Sequence, residues 1–165
     1  MGKRAAKRHK PIERYEIPQT EFPRTSFSID DVLNELLAGP FSDIRDRPTL
    51  AFMDTTTLAY IRTGAGTPFI GLHYLLNHPA TPYEVIRFIL RHELLHLRIK
   101  PREIDGKMKY HPPEFFAAER ILSPESADAH LWIELSFWSV LNTDRETECI
   151  WVDRKRARQR REGRR

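Results

Sequence analysis

The sequence predicts an α+β domain: a short three-stranded sheet packed on one long helix, with further helices flanking it. Two observations carry this. Residues 49–72 hold three β-prone runs, Thr49–Met53, Thr57–Ile61 and Pro68–Leu72, with a Gly64-Ala65-Gly66 turn between the last two. After them, Val85, Ile86, Ile89, Leu90, Leu94 and Leu97 recur at helical spacing, which predicts a helix over about 82–98.

The elements follow in chain order. Residues 1–25 are basic and then punctuated by Pro11, Pro18 and Pro23, and they read as an arm outside the domain. A helix is expected from Ser26 to Gly39, because Ile29, Val32, Leu33, Leu36 and Leu37 form one apolar stripe. Ser28 suits its N-cap, Asp30 and Asp31 its positive end, and Gly39-Pro40 its stop. The three strands form a small antiparallel or mixed sheet, with Pro68 placing 68–72 at an edge or at a strand start. Thr81-Pro82-Tyr83-Glu84 opens the long helix, with Thr81 as N-cap and Glu84 closing a capping box, and Pro101 lies beyond its end. Glu114–Leu122 reads as a short helix whose Phe115 and Phe116 belong to the core. Ala127–Leu141 reads as another, with Leu131, Leu135, Trp138 and Leu141 near one face. Thr147–Val152 is β-prone and its state stays open. The domain spans 26–153, and 154–165 is a basic tail.

Composition bounds the function. A chain of 165 residues with 40% hydrophobic content suits one modest core with tails. Its single cysteine, Cys149, excludes an internal disulfide and any Cys-rich zinc module, and fits a reducing compartment. No apolar run approaches the ~20 residues of a membrane span, and the basic N-terminus lacks the apolar segment of a secretory signal. A cytoplasmic protein with no membrane partner is the expectation. The net charge of +4 hides a split: residues 1–14 carry +5, residues 154–165 carry +7, and 15–153 carry −8. Two cationic arms on an acidic domain make nucleic acid a candidate partner; a solvated tail is the plain alternative.

The chemistry sits at the end of the long helix. His92-Glu93-Leu94-Leu95-His96 is H-E-x-x-H. Residues four apart on a helix share a face, so His92 and His96 can aim two imidazoles at one point, with Glu93 one step round. That is the arrangement a zinc hydrolase needs: two nitrogens, a neighbouring carboxylate base and an open coordination position. The plain alternative is an amphipathic helix with two partly buried histidines. A third ligand is required, and His111 follows His96 with fourteen residues between them. Asp105-Gly106 marks a turn that lets the chain reverse. Glu119 is the runner-up, since a glutamate on a following helix can also serve. Tyr110 and Asp105 adjoin these residues, but a packed tyrosine and a turn aspartate explain them. His73, His78 and His130 lack ligand spacing.

At this point the sequence resembles the SprT-like (Spartan-type) zinc metalloproteases. The residues that carry the resemblance are His92-Glu93-x-x-His96, a loop, and His111-Pro112-Pro113-Glu114-Phe115, preceded by Ile70-x-Leu72-x-x-Leu75 and Pro79; together they cover roughly 50–120. The family's third piece is H-G-x-E-F, so Pro112 stands where it has glycine. Many relatives also append a Cys-rich zinc element, which this chain cannot build. The resemblance implies a zincin-like α+β core, Zn²⁺ on His92, His96 and His111, Glu93 as catalytic base, and protein or peptide substrates on or crosslinked to DNA. An edge strand at 68–72 is the expected peptide-binding edge. The rival reading is a nucleic-acid-binding protein with a structural, non-catalytic zinc. Glu93 discriminates, since a structural site needs a fourth protein ligand rather than a base.

Overall fold

The computed structural model describes residues 25–64, 66–144 and 149–163. The expected N-terminal arm, 1–25, lies outside the described residues apart from Thr25. Helix α1 (Ile29–Ala38) forms where the apolar stripe predicts, buries Ile29, Val32, Leu33 and Leu36, and is capped by Ser28, whose Oγ accepts from the Asp31 N–H. It starts three residues later than Ser26, because Ser28 takes the extended backbone of a cap.

Strands β1 (Thr49–Met53), β2 (Ala59–Gly64) and β3 (Gly66–His73) form one mixed sheet in the order β1-β3-β2. β1 runs parallel to β3 and β2 antiparallel to it, with Ile61 opposite Ile70. The expected run at 57–61 therefore begins later and reaches Gly64. Thr55 and Thr57 instead hold a local turn, the Thr57 N–H donating to Thr55 Oγ1 at 3.4 Å. The placement of 68–72 at an edge is corrected: β3 is the central strand. Pro68 is tolerated there because it precedes the first parallel pair, Thr49↔Phe69, and sits where the β2–β3 register shifts between Arg62 and Gly64. On the far face the Tyr60 ring lies across Gly71, where any Cβ would collide with it.

Helix α2 (Tyr83–Arg98) lies against the other face of the sheet. Leu50, Phe52, Ala59, Ile61, Ile70 and Leu72 from the strands and Ile86, Leu90, Leu94 and Leu95 from α2 belong to one core. The cap expected at Thr81 does not form. The Thr81 N–H donates to the His78 carbonyl, its hydroxyl is buried without a partner among the described residues, and Pro82 takes the cap position with no side-chain bond. Arg91 of α2 is buried and paired with Glu125.

Helices α3 (Pro113–Leu122) and α4 (Ser126–Phe137) also pack on α2. In α4 the buried face is the opposite of the expected one. Ala129, Ile133 and Phe137 face inward, while Leu131, Leu135 and Trp138 are exposed. The helix is apolar on several sides, so its pattern selects no face; contact with α2 and of Phe137 with His73 does. The helix ends at Phe137, earlier than Leu141, because two strands follow. β6 (Leu141–Asp144) pairs antiparallel with β7 (Cys149–Val152).

The basic C-terminal run is a helix, α5 (Arg154–Glu162), capped by Asp153, whose side chain accepts from the Arg156 N–H. Ala157 is buried, Arg154 and Arg158 both bond Asp54, and Arg160 and Arg161 lie over Phe137 and Tyr74. Among the described residues, no helix is long and apolar enough to cross a membrane.

Candidate metal centre

Two elements build the site. α2 sets His92 and His96 one turn apart, with ring centroids separated by 5.1 Å. The chain then forms a hairpin where the sequence signals only a turn: β4 (Arg102–Ile104) and β5 (Lys107–Lys109), joined by Asp105 and Gly106. Both turn residues have positive φ, 52° and 70°, as the two-residue hairpin turn that matches strand twist requires. The hairpin returns His111 to α2. His111 Nε2 lies 3.1 Å from His92 Nε2 and 3.1 Å from His96 Nε2. The fully buried Phe115 ring supports all three imidazoles, with centroid distances of 5.0, 4.6 and 4.8 Å to His92, His96 and His111. Phe116, expected in the core, is 40% exposed.

Pro112 does not distort this region. Its φ of −68° is one that any residue adopts, so nothing here demands the family's glycine, and its carbonyl accepts from the Phe115 N–H at 2.8 Å.

Glu119 is not placed as a third ligand. Its Oε1 lies 2.6 Å from His92 Nδ1, the ring nitrogen other than the one that meets His111. Burial is the largest influence on the Glu119 carboxyl and works to raise it, but the hydrogen bond from His92 together with the charges of His92, His130 and His111 brings the net shift downward. His92 is raised in turn: burial opposes its charge, and the bond to Glu119 and the charge of Glu93 more than offset that. In the neutral imidazole, an Nδ1–H that donates to Glu119 leaves Nε2 as the lone pair facing the cluster. Burial, then the charges of His92 and His111, push His96 down to about 3, so its imidazole is neutral. Glu119 was legible in the spacing: His111, Phe115 and Glu119 follow one another at intervals of four, and a helix begins at Pro113.

Glu93 is buried between α2 and the sheet. Burial pushes its carboxyl up to about 7, opposed by the charge of His92 and by the backbone N–H of Ile61 on β2. The other histidines do local work. His73, which lacks ligand spacing, is fully buried, its Nδ1 accepting from the Leu75 N–H, and it stacks on Tyr74. His78 Nδ1 accepts from the Ala80 N–H, and the His130 ring meets Phe88.

His92, His96 and His111 can hold a metal ion: their ligand atoms all lie within 4.8 Å of one another. The donor set also fits the ion. A tetrahedral site with metal–nitrogen bonds of about 2.0–2.1 Å has edges of about 3.3 Å, close to the 3.1 Å separations observed. No fourth His, Cys, Asp or Glu joins the group among the described residues. Comparison with protein-family models, curated proteins and solved structures finds no match. The family expectation therefore rests on the residues quoted above.

The Glu119 contact makes a prediction. Glu119→Gln keeps size and weakens the grip on His92, so metal affinity should fall about 10–100-fold with the fold intact. Competition against a chromophoric chelator measures it; parental affinity would make Glu119 a packing residue only.

Proposed function

We propose that this protein is a zinc-dependent metallopeptidase of the SprT-like type, with a zincin-like core. The observation that carries the reading is Glu93: a buried carboxylate beside three convergent imidazoles, poised near neutrality. His92, His96 and His111 would hold Zn²⁺. When bound, the ion supplies Lewis acidity to water and to the peptide carbonyl. The Glu93 carboxylate takes the proton of the attacking water and returns it to the leaving amine nitrogen, a task that needs a carboxyl with a pKa near the working pH.

Protein or peptide substrates engage β2 in this reading. It pairs with β3 on one side only, and no described strand covers its other edge. An extended peptide added there passes Ile61, whose N–H faces Glu93. DNA-associated proteins are the substrate class that the resemblance implies. Nucleic acid would meet the basic arms; in the C-terminal one Arg154 and Arg158 already bond Asp54 and Arg156 pairs with Asp153, so the exposed Lys155 is the cation it offers first. An intracellular location, fitting the single cysteine, belongs to the same proposal.

The rival, a structural zinc in a nucleic-acid-binding protein, has no use for a buried base. The test is metal content of the purified full chain together with digestion of an unfolded protein, with and without single-stranded DNA. Stoichiometric zinc and digestion that a chelator abolishes and zinc restores are expected. Stoichiometric zinc with no digestion under either condition favours the rival.

A further inference from the structure

The strand order forces an unusual connection. β1 and β2 lie on opposite sides of β3, so residues 54–58 must cross the end of β3 between Met53 and Ala59 with only five residues and no helix. The crossover ends three residues before Ile61, whose N–H faces Glu93. Among the described residues β2 has one strand partner, so beyond the packing of α2 on its face its position depends on β3 and on how this crossover is held.

The C-terminal segment holds it at two points. The Val152 N–H of β7 donates to the Thr56 carbonyl at 2.6 Å. Asp54, only 7% exposed, accepts from Arg154 Nε at 3.2 Å, Arg154 Nη2 at 3.1 Å and Arg158 Nη2 at 2.8 Å. Two guanidinium groups on one buried carboxylate form a charge-assisted, geometrically defined anchor. Burial works to raise the Asp54 carboxyl, yet the bonds from Arg154 and then Arg158 win and hold it below the usual range. Ala157, fully buried between the two arginines in sequence, keeps that face of α5 against the body.

We propose that α5 is a strap for the substrate-binding edge: through Asp54, the positioning residue, Arg154 and Arg158 fix the crossover and so the place of β2 beside Glu93. The catalytic consequence rests on the peptidase reading; the mechanical one does not. The strap acts on the strand that engages peptide: Arg154 and Arg158 bond Asp54, and Val152 bonds Thr56, both in the crossover that leads into β2.

The test uses the zinc-loaded full chain. Asp54→Asn keeps the shape and removes the charge. KM for a peptide substrate should rise about three- to tenfold with kcat within about twofold and zinc content at the parental level. Amide hydrogen exchange across 59–64 should quicken. Arg158→Lys, which keeps a cation on a half-exposed side chain, should restore most of the parental KM relative to Arg158→Ala. If Asp54→Asn fails to fold, the Arg158→Ala and Arg158→Lys pair carries the same comparison. Parental exchange across 59–64 in a variant that has lost the anchor overturns the strap. Faster exchange with an unchanged KM overturns its link to substrate. A parent that cleaves nothing while its variants exchange faster overturns the peptidase reading and leaves the strap standing.

Discussion

Glu93→Gln should lower peptidase turnover by about 10²–10⁴-fold while zinc stays bound, the range general-base catalysis typically supplies. The substitution keeps the shape of the side chain in its buried site between α2 and β2 and removes only the capacity to accept a proton. Stability should hold or rise slightly, because burial already penalises the charged form of this carboxyl. The same carboxyl fixes the pH profile. With its pKa raised to about 7, activity should climb as pH rises through that value and the base becomes ionised. Digestion of an unfolded protein, assayed beside zinc content from pH 5 to 9, reads both. Equal rates in Glu93→Gln and the parent would remove Glu93 from the chemistry.

His111→Ala should cost more metal than any substitution outside the cluster, beyond the ~100-fold upper range expected of supporting residues. His111 supplies one of three convergent nitrogens, and its Nε2 is 3.1 Å from both of the others. His92→Ala and His96→Ala should be as severe, since the three would share one ion. The fold should survive, because His111 is only half-buried and the Phe115 beneath it stays in the core. Zinc per chain after dialysis against a mild chelator is the readout. Full retention in His111→Ala would place the third ligand elsewhere.

What the sequence revealed depended on whether a pattern had one physical cause. α2 and its motif were legible because period, stop signal and ligand spacing agree over 82–98, and the three histidines do converge. The first strand was read to the residue, Thr49–Met53. Errors arose where two patterns competed. In α4, apolar residues lie on more than one side, and tertiary contact buried Ala129, Ile133 and Phe137 rather than Leu131, Leu135 and Trp138. At 154–162 a run of arginines reads equally as a nucleic-acid contact or a solvated tail, and the buried acceptor of Arg154, Asp54, lies 100 residues away in sequence. Thr81 had the composition of a cap and the wrong orientation. The β4–β5 pairing is too short to show any alternation; only Asp105-Gly106 signalled it.

The division of the ligands between α2 and the segment beyond the β4–β5 hairpin has a consequence for mass action. Two imidazoles stand preassembled on a helix, and the third must be brought home by closing a loop of fourteen residues. An ion that binds all three is thus also a ligand of the folded state alone. At a free zinc concentration 100 times its Kd it adds about 2.7 kcal/mol to stability, and each further tenfold adds about 1.4. With zinc as that ion, the melting temperature would rise with the logarithm of free zinc, as a titration curve does. The hairpin and α3, between which His111 lies, would then be the parts whose order depends most on the metal supply.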